Sequence, residues 1–283
     1  MTLSESSAIR LQVYGQWRTV YEEASSRRDD LTGEFFPMSM VGACQRRLAY
    51  YYLNYPTAEL SARALRTFEH GSWFEDWVKY TLTRYGSDYG ISWDDPEGIL
   101  RCDNPPCIGH RDLRIYANNP HQVQCCLDRL PYDGDRTQYI FNGEIKTAAD
   151  YRFWDIVGGT KDKYRNNFIP NRGSILAAPD WYDQDVFYLG HILQKEPDNK
   201  GTILMMESKN ENRVDVSHIT FNPKRFNELL EKVNYIWLTV QNGELPGRIE
   251  LNYNKYGKLG FPCTWTDGGC SYLEECNPPE EKE

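Results

Sequence analysis

The sequence predicts an α/β fold: a central mixed sheet flanked by helices, with an N-terminal helical part and a C-terminal cysteine loop. Three observations lead there. β-Prone stretches lie at 99–116, 122–147, 203–207 and 214–221. Apolar residues recur at helical spacing from Ser61 to Gly86, from Pro179 to Lys195 and from Pro223 to Gly243. Pro and Gly stand at most of the joints between these segments, where they end helices and set turns. The expected organisation is an N-terminal helical segment (1–60), a core (61–243) and a C-terminal segment rich in loops (244–283).

The first 35 residues read as helical and polar, with a charged break at Ser25–Asp30. Ser39 is a plausible N-cap for a second helical stretch that carries Cys44, Arg46 and Arg47 and is stopped by Pro56. In the long helix that follows, Phe74, Val78, Leu82 and Tyr85 form the buried stripe. Glu75 stands at i, i+3 and i+7 from Val78 and Leu82, so it faces that stripe and needs a partner, either a backbone group or a metal ion. His70, five residues earlier, is the second candidate on this helix.

The stretch Gln122–Thr147 reads as a β-hairpin. Val123, Cys125 and Leu127 alternate with polar residues, Asp133-Gly134 supplies the reversal, and the second arm ends in Glu144-Ile145-Lys146. Period-2 alternation puts Glu144 and Lys146 on one face, and antiparallel pairing would bring Asp128 beside them. Two carboxylates and an ammonium at a strand end suit a hydrolytic metal site. The carboxylates would hold a hard dication by oxygen, and the lysine would steady a nucleophilic water or the charge developing on a phosphate. The rival reading is a surface hairpin with a cross-strand ion pair, and Glu207-x-Lys209 repeats the same tripeptide elsewhere. Asp112 competes for the aspartate position; it precedes Glu144 by 32 residues against 16 for Asp128, and the shorter gap fits adjacent strands.

Between Ala148 and Arg172 aromatic and basic residues interleave (Tyr151, Arg152, Phe153, Trp154, Lys161, Lys163, Tyr164, Arg165) around Gly158-Gly159. That pattern suits single-stranded nucleic acid or a plain amphipathic cover over the sheet. Gln184 and Tyr188 are i, i+4 on the next helix and share a face.

Charged residues make up 26% and hydrophobic ones 40% of 283 residues, the balance of a soluble globular protein with ample core. A net charge of −9 excludes a generally basic surface and leaves room for a local basic groove. No apolar run approaches the ~18 residues of a membrane span, and the opening residues have no apolar core of a signal peptide. The expectation is therefore a cytoplasmic protein whose 8 cysteines are thiols or metal ligands.

In order and spacing these residues resemble the PD-(D/E)xK nucleases of the RecB type that carry an iron–sulfur cluster, the group that contains CRISPR-associated exonucleases and phage-encoded relatives. Gly71-x-x-x-Glu75, Asp128, Glu144-x-Lys146 and Gln184-x-x-x-Tyr188 match its nuclease motifs, and Cys44 with Cys263, Cys270 and Cys276 matches its four cluster cysteines. The likeness runs over about residues 40–276, with six residues between Cys263 and Cys270 where the family has two.

The resemblance implies a restriction-endonuclease-like sheet and a DNA exonuclease acting on single strands, with endonuclease activity also open. It implies Mg²⁺ or Mn²⁺ held by Glu75, Asp128, Glu144 and the Ile145 carbonyl, with Lys146, Gln184 and Tyr188 completing the catalytic set. It also implies a structural 4Fe-4S cluster, for which zinc on the same four thiolates is the rival. The competing class is a nucleic-acid-binding adaptor that keeps the fold without catalysis. Cys102, Cys107, Cys125 and Cys126 are expected to be free, buried cysteines.

Overall fold

Strands of alternating and continuous apolar character build the sheet, and the computed structural model places them in a mixed order. It describes residues 35–56, 62–96, 99–134, 138–157, 160–161, 168–169, 178–247, 270 and 272–276. The chain divides into two compact units. The first comprises Phe36–Ala43 and His70–Tyr235.

In this unit β1 (Phe36–Pro37) is followed by α2 (Ala62–Tyr85, from His70 on), β2 (Ser92–Asp94), β3 (Ile99–Asp103), β4 (Pro106–His110) and β5 (Leu113–Ala117). Then come α3 (Pro120–Asp128), β6 (Tyr139–Ala148), α4 (Asp150–Val157), β7 (Thr160–Lys161), β8 (Phe168–Ile169), α5 (Pro179–Ile192), β9 (Thr202–Ser208), β10 (Arg213–Ile219) and the start of α6 (Pro223–Gln241). The main sheet runs β10-β9-β6-β5-β2; β6 and β9 are parallel and the other neighbours antiparallel. A smaller sheet orders β1-β4-β3.

Each face of the main sheet is covered by helices, because successive residues point to opposite sides. Leu113, Ile115, Phe141, Ile145, Ile203 and Met205 pack with Phe74, Val78 and Leu82 of α2 and Val123, Cys126 and Leu127 of α3. On the other face Ala148, Leu204 and Met206 meet Phe153 and Ile156 of α4 and Tyr182 and Val186 of α5. The mixed sheet flanked by helices is thus as expected.

The hairpin over 122–147 is not. Residues 120–128 form α3: the Asn119 side chain accepts from the Gln122 amide, Pro120 occupies the first turn, and Arg129 closes the helix with φ 55°. The true neighbours of β6 are β5 and β9. The segment after β6 is likewise helical rather than loop-like over Asp150–Val157, and Phe153 lies in the core, so this part is a cover over the sheet. Met38–Met40 is a short 3-10 turn; α1 (Gln45–Tyr52) has Cys44, not Ser39, at its N-cap.

The described parts of the second unit lie in Cys44–Glu69 and Ile236–Glu283. Here α1 packs on the segment holding α7 (Leu273–Cys276): Tyr50 donates to the Glu275 carbonyl at 3.3 Å and its ring lies 5.4 Å from that of Tyr272. Among the described residues no helix is long and apolar enough to cross a membrane.

Candidate active site

β6 outruns its neighbour. β5 begins at Leu113, opposite Gly143, so residues 144–148 of β6 are paired with β9 alone and leave a notch where β5 is absent. Asp112, one residue before β5, fills the rim of that notch, and its Oδ2 accepts from the Ile145 amide at 3.3 Å. Since the N–H and C=O of one strand residue point to the same side, the Ile145 carbonyl also faces the notch.

Glu144 and Lys146 share the α5 face of β6. Glu144 is 2% exposed; its Oε1 accepts from Lys146 Nζ and, at 2.6 Å, from the Gln184 amide of α5. Its Oε2 is buried with no hydrogen-bond partner among the described residues. Tyr188, one turn beyond Gln184, is buried and packs its ring on Gly109. A Cβ at Gly109 would lie 2.5 Å from the Tyr188 ring, so glycine is what lets α5 come this close to β4.

The charges are crowded. Burial pushes Asp112 up to about 8, Glu144 and Glu75 adding to the rise and Lys146 opposing it. Burial pulls on the Lys146 ammonium in the other direction, but Glu144 and Asp112 outweigh it and hold Lys146 above its ordinary value. In the metal-free protein Lys146 is thus favoured as a cation and donor. Asp185 is fully buried on α5, and burial together with Glu144 raises its carboxyl far above the usual range.

Glu144, Lys146, Gln184 and Tyr188 are thus brought together, with Asp112 beside Ile145. Asp128 is not among them. It ends α3, where it accepts from the Gln124 side chain and borders an open groove with Trp77, Arg213 and Asp215. Glu75 lies within electrostatic reach of Asp112 and is bonded to Lys79 at 2.7 Å. His70 instead bonds Glu207 of β9 at 2.8 Å, at the far end of the notch.

Among the described residues no three His, Cys, Asp or Glu side chains group closely enough to hold an ion by themselves. The donors that fit a hard cation are Asp112, the unpartnered Oε2 of Glu144 and the Ile145 carbonyl, with water left to complete an oxygen shell. In the second unit Cys44, Cys270 and Cys276 are free thiols, half-buried, on segments joined by the Tyr50 contacts. Cys263, Lys163, Arg165, Arg172 and the Lys161 side chain lie outside the described residues.

A pH effect follows from the raised Asp112. Its folded value of about 8 exceeds the ordinary 3.8, so the folded state holds the extra proton. That contribution to stability is full below about pH 4 and is lost as pH rises through about 8. In metal-free protein, wild type should therefore lose Tm relative to Asp112→Asn between these limits. Parallel Tm–pH curves for the two proteins would show that Asp112 is not in this environment.

No family model and no curated protein matches the chain. Among solved structures it is similar to the protein SSO0001, at 12% identity and a TM-score of 0.39 over 72% of this chain and 76% of that one. A protein of Eubacterium rectale named "putative exonuclease" is similar at 12% identity and a TM-score of 0.36, over 79% of this chain and 87% of that one. Likeness at this level carries no part of the functional reading.

Proposed function

We propose that the protein is a metal-dependent nuclease that hydrolyses phosphodiester bonds of DNA, acting as an exonuclease on single strands. The observation that carries this reading is the notch in β6, where Asp112, Glu144 and Lys146 converge around an open main-chain carbonyl. Asp112, Glu144 and the Ile145 carbonyl would hold Mg²⁺ or Mn²⁺, which when bound polarises the scissile phosphate and lowers the pKa of a water.

The protein's own residues do the rest. Gln184 fixes the rotamer of Glu144 by donating to Oε1, while Oε2 has no hydrogen-bond partner among the described residues. Lys146, kept protonated, donates to the charge that develops on the phosphate. Tyr188, packed on Gly109, holds α5 at the right distance. Glu75 sets the field at Asp112 from the other side. Trp73 and Tyr80 of α2, 57% and 58% exposed, would offer faces on which the bases of a single strand could stack.

The test uses end-labelled single- and double-stranded oligonucleotides. Stepwise shortening of the single strand with Mg²⁺ or Mn²⁺, abolished by chelation, is expected. A protein that binds the strand without cutting it in either metal would be an adaptor and not an enzyme.

In the second unit the reading is a structural 4Fe-4S cluster on Cys44, Cys263, Cys270 and Cys276. It is supported by the packing of the Cys44 helix against the segment that carries Cys270 and Cys276. Anaerobically purified protein should contain about four irons and four sulfides per chain, as a cubane on four thiolates requires. Stoichiometric zinc without sulfide would replace this reading.

A further inference from the structure

Asp185 stands in an environment that the nuclease reading above leaves unused. It is 0% exposed, and neither carboxylate oxygen has a hydrogen-bond partner among the described residues. A buried carboxylate with no donor is costly and persists where something compensates it. It follows Gln184, whose amide bonds Glu144, and it lies within electrostatic reach of Lys146, Glu144 and Asp112.

Lys146 has a matching problem. Its ammonium is bonded to Glu144 Oε1, and that same oxygen also accepts from Gln184. A dication on Glu144 would draw away the negative charge that holds Lys146 and would repel the ammonium directly. A buried cation then needs another carboxylate.

We propose that Asp185 is a positioning residue for Lys146: when Glu144 engages the metal, Asp185 takes the ammonium and aims it at the phosphate. The proposal rests on the nuclease reading, and it goes beyond it by assigning a role to a residue outside the motifs.

Two measurements test it. The first is a crystal structure of the wild-type chain with Mn²⁺ bound, which reads the contact without any activity. Lys146 Nζ should lie within hydrogen-bond distance of an Asp185 oxygen; Lys146 remaining on Glu144 alone, with Asp185 still unpaired, would overturn the proposal.

The second is a double-mutant cycle on single-stranded DNA. Asp185→Asn should lower kcat by about tenfold at saturating Mn²⁺, the size of a typical coupled pair, with KM unchanged. In a Lys146→Ala background the same substitution should cost nothing more. An equal loss in both backgrounds would mean that Asp185 serves only the packing of α5. Wild type that cuts no DNA would count against the nuclease reading, while the Mn²⁺ structure would still decide the Lys146–Asp185 contact.

Discussion

Glu144→Gln should abolish cleavage, lowering it by orders of magnitude while DNA binding is retained or tightened. The substitution keeps the shape of the side chain and its place beside Gln184, but it removes the charge on the Glu144 oxygen that has no hydrogen-bond partner among the described residues. A divalent ion that sheds water reluctantly depends on such anionic ligands, so an amide here empties the site. Loss of a negative charge that faces the phosphate explains why binding should not weaken. Cleavage kinetics and filter binding on the same oligonucleotide separate the two effects. Full activity in Glu144→Gln would remove the hydrolytic reading of the notch.

Lys146→Ala should fall by about 10²–10³ in kcat, the usual loss for a preorganised donor to developing charge, with metal affinity kept or slightly raised. The direction on metal is specific to this site. Lys146 is bonded to Glu144 and its positive charge opposes a cation there. Calorimetric Mn²⁺ titration beside single-turnover kinetics reads both quantities. A variant that loses metal and rate together would instead make Lys146 a structural prop for Glu144.

Much of this site is legible in the sequence, and the part that is not has a physical reason. Glu144 and Lys146 follow from period 2 on a β-prone arm, and Gln184 and Tyr188 from i, i+4 on a helix. Those are local rules. The partner of β6 is not local. Its neighbour β9 is paired in parallel across a connection that includes α4 and α5, and β5 reaches it past α3. Spacing alone therefore favoured Asp128 over Asp112.

The decisive signal was present, nevertheless. Asn119-Pro120 is an N-cap followed by a first-turn proline, and Val123, Cys126 and Leu127 recur at i, i+3 and i+4 on a helix face. Because Val123 and Leu127 are also compatible with alternation, the turn-rich cluster after them tipped the reading to a hairpin. Asp185 could also have been found. Helix α5 is buried all round from Tyr182 to Ile192, so three consecutive polar residues, Asp183, Gln184 and Asp185, mark where it meets charge. Asp183 is accounted for by its bidentate bonds from Arg225, at 2.7 and 2.8 Å.

Mn²⁺ titration of three proteins decides which aspartate shares the cation with Glu144. Asp112 borders the notch and bonds Ile145, whereas Asp128 sits at the end of α3 beside Asp215. Asp112→Asn should weaken Mn²⁺ binding by at least about tenfold, as loss of one anionic ligand requires, while Asp128→Asn should bind like wild type. Weakened binding in Asp128→Asn with an unchanged Asp112→Asn would contradict the site described here.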